Sequence, residues 1–203
     1  EIMDFAKAIK APSIMTSASH ERASDRIAEA MVKIEKETGE KHEIVVLVQG
    51  DEPMLHPEMI DDLVRTMIEE PEVDVANGFS RIESLEDFED PNEVKVVIDQ
   101  KGYAIYFSRE PIPSNKKSID SGPMYKQVCI IPFRREYLLH FNNAAQTPLE
   151  ITESIDMLRA IEGGQKVRMV EMKHQSYSVD THSDLERVKG YMKSDKLRKQ
   201  YGI

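Results

Sequence analysis

The chain is short of several things, and each shortage excludes something. A single cysteine, Cys129, rules out an internal disulfide and any thiolate-bound metal cluster, and it suits a reducing compartment, so a cytoplasmic protein is expected. No apolar run approaches the roughly 18 residues that would cross a bilayer. Basic residues are in deficit, 27 Lys and Arg against 37 Asp and Glu, which leaves a net charge of −10. Nucleic-acid backbones and anionic membranes both call for a positive field, so neither is expected as the main partner. A local basic pocket for a small anion stays open. No internal repeat, low-complexity tract or targeting segment is visible, and there is no initiator methionine. The first residues, Glu1 to Ile9, already look like the body of a helix, so part of the domain is expected to precede Glu1.

What is present is 203 residues, 40% of them hydrophobic, enough for one α/β domain over residues 1–203. Its centre is the run Ile44-Val45-Val46-Leu47-Val48, which stops at Gln49-Gly50-Asp51-Glu52-Pro53. Five apolar residues in a row read as a strand buried on both faces, hence a mostly parallel, Rossmann-like sheet flanked by helices. In such sheets ligands bind beyond the carboxyl ends of the strands, which is where Asp51 falls. The plainer reading of Gln49 to Pro53 is an ordinary turn with an acidic tip.

Around this run the pattern alternates. Ile27, Ala30, Met31 and Ile34 form a helical stripe, and Pro57 opens a second helix. Val73 to Phe79 reads as a strand, and Glu93 to Asp99 with Tyr103 to Phe107 reads as a hairpin bent at Gly102. Pro111 and Pro113 make a rigid loop that carries Arg109 straight out of a strand. Ser114 to Gly122 reads as a mobile loop, and Tyr125 to Phe133 as another strand. Thr147-Pro148-Leu149-Glu150 is a capping box opening a helix that runs to Gly163. Glu153 and Asp156 share a face of that helix, by default a solvated one. Lys166 to Met172 and Tyr177 to Val179 read as strands, and Asp180 lies between the second of them and the last helix.

Asp51 and Asp180 therefore both follow strands and precede helices, which would bring them to one sheet edge. Two carboxylates with water and phosphate oxygens are what Mg²⁺ prefers, and nearby Arg or Lys would stabilise charge building on phosphorus. Arg26 lies in the first turn of its helix, where a cation opposes the dipole unless an anion partners it. It is either a solvated residue paired with a neighbour such as Glu29 or a ligand contact. Spacing alone leads to a metal-dependent phosphoryl or nucleotidyl transferase and names no substrate.

Several blocks taken together narrow this further. Gln49-Gly50-Asp51-Glu52-Pro53, Asn92-Glu93-Val94-Lys95, Tyr106-Phe107-Ser108-Arg109-Glu110-Pro111-Ile112-Pro113, Pro148-Leu149-Glu150 and Val179-Asp180-Thr181-His182-Ser183-Asp184-Leu185 occur in order along nearly the whole chain. In this the chain resembles the CMP-KDO synthetases, the 3-deoxy-manno-octulosonate cytidylyltransferases of envelope and capsule synthesis. The resemblance implies the nucleotide-diphospho-sugar transferase type of fold and a homodimer. It also implies transfer of CMP from CTP to the anomeric hydroxyl of an acidic 3-deoxy-ulosonic sugar, with Mg²⁺ assisting. By position it makes Asp51 and Asp180 catalytic, metal-binding aspartates. Gln49 and Arg109 fall on the sugar side, and Ser24 and Arg26 on the nucleotide side, with Ser24 standing for the usual Thr. Gln127 and Asp156 lie where the chain departs from the family pattern, in Tyr125-Lys126-Gln127-Val128-Cys129 and Ile155-Asp156-Met157-Leu158-Arg159, positions that face the sugar. The sugar is then KDO or a relative of it. The family's amino-terminal strand and basic phosphate loop are absent from these residues. Residues 103–133 are the candidate dimer contact by the same analogy. The other readings are a non-catalytic sugar-binding or oligomerising module on the same fold, or a transferase for another nucleotide or sugar.

Overall fold

The computed structural model describes residues 1–117 and 122–200, so part of the Ser114 to Gly122 loop (118–121) and the last three residues lie outside the described residues. In chain order the elements are α1 (Ile2–Ala8), α2 (Ala23–Thr38), β1 (Ile44–Val48), α3 (Pro57–Glu69), β2 (Val75–Arg81), α4 (Leu85–Glu89), β3 (Lys95–Ile98) and β4 (Ala104–Ser108). Then follow β5 (Tyr125–Val128), β6 (Ile130–Arg134), α5 (Arg135–Asn143), α6 (Pro148–Glu153), α7 (Met157–Glu162), β7 (Val167–Glu171), α8 (His182–Met192) and α9 (Lys196–Gln200).

The local signals behave as their chemistry dictates. Helix α2 stops at Gly39, whose φ of 75° lies in the left-handed region. Pro57 sits at the first position of α3. The β3–β4 hairpin bends at Gly102, φ 83°, with Asp99 Oδ1 accepting from the Lys101 and Tyr103 amides.

The sheet is not the mostly parallel one that the apolar run predicts. Its order is β1-β6-β2-β5-β3-β4, with β7 on the other side of β2. Among the described residues only β2 and β7 pair in parallel, from Val75 against Val167 to Phe79 against Glu171. The remaining pairs are antiparallel. A run of apolar residues reports burial and says nothing about the direction of its neighbour. Here β6 threads between β1 and β2 and runs against both, so β1, β2 and β7 still point the same way and end at one edge. Nor is β1 buried on both faces. It is an edge strand in which only Leu47 is fully buried and Val48 is 43% exposed.

Successive residues of β2 face opposite cores. Val75 and Phe79 join Ala28 and Met31 of α2, Leu138 and Phe141 of α5, and Leu158 of α7. Ala76 joins Met59, Leu63 and Met67 of α3 on the other face. Period-two alternation thus covers the sheet on both sides. The Glu35 carboxylate takes two bonds from Arg135, 2.8 and 2.7 Å, and ties α2 to α5.

Two further expectations fail locally. The helix expected from Pro148 to Gly163 breaks at Ser154, which adopts φ 55°, leaving α6 and α7 as separate short pieces. Residues 177–179 form no strand; the Val179 amide instead donates to the Asp51 carbonyl at 2.9 Å.

Candidate active site

That single bond between Val179 and Asp51 joins the loop after β1 to the loop after β7. A second link, from the Ser176 hydroxyl to the Glu52 carboxylate, holds the same pair of loops together. Asp51 and Asp180, 129 positions apart in sequence, consequently line one cavity of about 370 Å³. Asp180 is placed by the start of α8. Thr181 is the cap, its hydroxyl accepting from the Asp184 amide and its own amide donating to Asp184 Oδ2. The Ser178 hydroxyl donates to Asp180 Oδ2 at 2.9 Å.

The broken helix supplies the opposite wall. Because α6 ends in a left-handed Ser154, Glu153 turns toward β4 and Asp156 toward the cavity. Glu153 accepts from the Ser108 hydroxyl (2.8 Å), the Tyr106 hydroxyl (3.2 Å) and the Arg109 amide (2.9 Å). The Arg109 side chain then donates only to backbone carbonyls, those of Glu153 (2.9 Å), Pro91 (2.9 Å) and Ser154 (3.5 Å). Among the described residues no carboxylate pairs with it. Its guanidinium is fixed and retains N–H donors for a ligand.

Gln127 sits on β5 beside Asn77, to whose Oδ1 it donates at 2.5 Å, while Asn77 Nδ2 is held by the carbonyls of Val128 and Gly78. That chain commits the Gln127 nitrogen and leaves its oxygen as an acceptor. Gln49, Arg109, Gln127 and Asp156 all line the same cavity as the two aspartates. Ser24 and Arg26 do not. Ser24 is fully buried behind Asp156, and Arg26 turns away to Thr16 Oγ1 (2.8 Å) and the carbonyls of Ser17 and His20. The cation that does line the cavity on this side is Arg22, which donates to Ser154 Oγ at 3.4 Å and stands 4.0 Å from Glu150. Sequence reasoning passed over it and over Glu52. The available signal was that Arg22 occupies the cap position of α2, where a hydroxyl or carboxylate is the usual occupant.

Six carboxylates and two guanidiniums line the cavity. Burial pushes the Asp156 carboxyl above its ordinary value, against the pull of Arg22 and Ser24. Glu52 is raised too, by burial first, with Ser176 and Lys126 acting in the opposite sense. A cavity so acidic repels an anionic ligand unless a cation bridges them. Asp51 Oδ1 is buried and has no hydrogen-bond partner among the described residues. An orphaned carboxylate oxygen at the rim that also holds Asp180 fits a hard divalent ion bound through oxygen.

A family model described as cytidylyltransferase matches residues 1–174. The chain is 43% identical over 184 residues to the 3-deoxy-manno-octulosonate cytidylyltransferase of Geobacter sulfurreducens, covering 86% of this chain and 71% of that protein. The fold is similar to a solved structure of CMP:2-keto-3-deoxy-manno-octonic acid synthetase complexed with CTP, with a TM-score of 0.84 and 31% identity, covering 94% of this chain and 76% of that one. A putative glucose-1-phosphate thymidylyltransferase from Bacillus anthracis, solved in complex with a sucrose, is similar in fold alone: TM-score 0.61 and 14% identity over 96% of this chain and 72% of that one.

Proposed function

This chain belongs to the cytidylyltransferase family, and on that premise we propose that it transfers CMP from CTP to the anomeric hydroxyl of 3-deoxy-manno-octulosonate, releasing pyrophosphate. The observation that carries the reading is the shared rim of Asp51 and Asp180, in a cavity whose cations are Arg22 and Arg109.

Asp51 and Asp180 hold a divalent ion, Mg²⁺ by the all-oxygen character of the pair. When bound, such an ion neutralises charge on the triphosphate and makes a neighbouring sugar hydroxyl more acidic. Arg109, restrained by three carbonyls and unpaired with any carboxylate among the described residues, receives the sugar's own carboxylate. Gln127 and Asp156, both acceptors toward the cavity, orient sugar hydroxyls, and Gln49, which lines the same cavity, acts on the sugar side. Ser24 and Arg26 act indirectly, Ser24 by backing Asp156 on the sugar side and Arg26, toward the nucleotide, by fixing the Thr16–His20 loop. The nucleotide substrate makes this a cytoplasmic activity. Two copies of the chain pair through residues 103–133, where Ile105 on the outermost strand β4 is 54% exposed.

The test is pyrophosphate release from CTP, Mg²⁺ and 3-deoxy-manno-octulosonate, run beside a panel of other 2-keto-3-deoxy acids and with UTP, GTP and ATP in place of CTP. Release with CTP and this sugar, and little with the other nucleotides, is the expected result. Equal release with another nucleotide, or none with any acid of the panel, overturns the assignment. Light scattering on the same sample gives a mass near twice that of one chain if the pairing is right.

A further inference from the structure

The two loops that carry Asp51 and Asp180 meet again on the outside of the cavity, and there they bring two imidazoles and a carboxylate together. His56 ends the loop after β1 and occupies the cap position of α3, Glu58 lies in the first turn of that helix, and His174 belongs to the loop after β7. One ligating atom from each lies within 4.8 Å of the other two. The rings of His56 and His174 stack face to face, centroids 4.0 Å apart and planes within 3°. His56 Nδ1 is 4.0 Å from the Glu58 carboxylate.

The fold makes little use of these groups. His56 forms no side-chain cap bond on α3. Among the described residues neither ring makes a side-chain hydrogen bond, so the ring nitrogens remain available. Both imidazoles are half-buried, Glu58 is exposed, and Glu58 and His174 border an open cavity of about 310 Å³. The one other carboxylate close by with strong partners, Asp62, is committed to Arg65 (2.9 Å) and Lys173 (2.8 Å). The neutral imidazole is the form of histidine that binds metal.

From this geometry we infer that His56, Glu58 and His174 form a second metal site, selective for an ion of the Zn²⁺ class and distinct from the carboxylate site inside the cavity. Two nitrogens and one carboxylate oxygen are a borderline-soft set that suits Zn²⁺ or Co²⁺, whereas Mg²⁺ takes oxygen alone. Neighbouring ligand atoms of a tetrahedral ion stand roughly 3.4 Å apart. Closing from the observed spread needs the rings to swing out of their stack, a side-chain movement at a solvent-facing site. Water takes the remaining position. The bound ion staples residues 49–57 to residues 172–180 from outside, reinforcing the Val179–Asp51 and Ser176–Glu52 links that hold the same loops from within.

The experiment is a Co²⁺ titration of the whole chain, read by visible absorption, followed by displacement with Zn²⁺ and separately with excess Mg²⁺. One equivalent of Co²⁺ is expected, displaced by Zn²⁺ and untouched by Mg²⁺. His174→Ala and the size-preserving His174→Gln each weaken binding at least 10-fold, and Glu58→Gln weakens it less. His42→Ala, a change at an exposed histidine elsewhere, leaves it unaltered, and so does Asp51→Asn. Zn²⁺ raises the melting temperature of the parent chain and not that of His174→Gln. Absence of stoichiometric Co²⁺ binding, binding that survives both His174 substitutions, or binding lost in Asp51→Asn overturns the inference. None of these readouts depends on pyrophosphate release, so the cavity's activity and this site fail or stand separately.

Discussion

Burial pushes the Asp156 carboxyl above its ordinary 3.8, and Arg22 and Ser24 only partly reverse this. A carboxyl raised in the folded state favours folding while it is protonated, below its unfolded value, and that contribution is lost as pH rises through the folded value. Above that folded value the ionised Asp156 is a local weakness. Asp156→Asn should make the melting temperature fall less than the parent's as pH rises, while lowering turnover with the sugar; calorimetry across pH and pyrophosphate release, taken together, check both halves. Asp180→Asn should behave differently. Asp180 is exposed and its substitution spares the Thr181–Asp184 cap, so the melting temperature stays put while kcat falls by at least about 100-fold, the upper end of what losing a metal's outer partners costs. At this scale short motifs were informative. Gln49, Asp51, Arg109, Gln127, Asp156 and Asp180, scattered over the chain, line one cavity. Arg22 was not legible because the first-turn cation signal belongs to Arg26, one helical turn further on, whose side chain closes onto its own preceding loop.

Between α6 and α7 the chain turns through Ser154, and the fold answers with a buried ion pair. Glu150, fully buried, takes two bonds from Arg159, at 2.8 and 2.5 Å, and Arg159 also donates to the Phe141 carbonyl and lies over the Phe141 ring at 4.5 Å. Removing one partner leaves the other charged and buried. Glu150→Ala should lower stability by about 3–5 kcal/mol, measured by urea unfolding. Burial acts to raise the Glu150 carboxyl, but Arg159 outweighs it and the net shift is downward from 4.5. Its stabilising contribution is then complete above the ordinary value of 4.5 and is lost as pH falls through the lower folded value. Acid unfolding of the parent should consequently be steeper below pH 4.5 than that of Glu150→Gln. The capping pattern at Thr147 and Glu150 was legible, and the break seven residues later was not. The apolar positions Ile151, Ile155 and Leu158 keep helical spacing, yet Ile151 is 61% exposed because Glu153 is drawn to β4 instead. Strand direction was illegible for a similar reason: pairing partners are chosen by topology, which a run of five apolar residues does not encode.

For the molecule as a whole, the net charge of −10 and the acid-lined cavity both oppose an anionic nucleotide. CTP alone should bind weakly, and CTP with Mg²⁺ tightly. At about 100 times the dissociation constant the pair should stabilise the fold by about 2.7 kcal/mol, which for a chain of this size corresponds to a rise of roughly 5–11 °C in melting temperature. Asp51→Asn should abolish the shift. Among the described residues no helix is long and apolar enough to cross a membrane. The meeting of Asp51 and Asp180 at one cavity was anticipated, although by way of a strand at 177–179 that does not form and a sheet of the wrong direction. One consequence follows from the seam between β5 and β6, where Cys129 interrupts the two strands and reaches the cavity floor. Burial, and after it the charges of Glu52, Asp156, Asp51 and Asp180, hold this thiol far above its usual range, so it stays protonated and reacts slowly. As the chain's one sulfhydryl, it is a built-in chemical gauge of occupancy. Its alkylation at alkaline pH, counted as a single adduct by mass, should slow whenever the chamber above it fills, with no engineered label required.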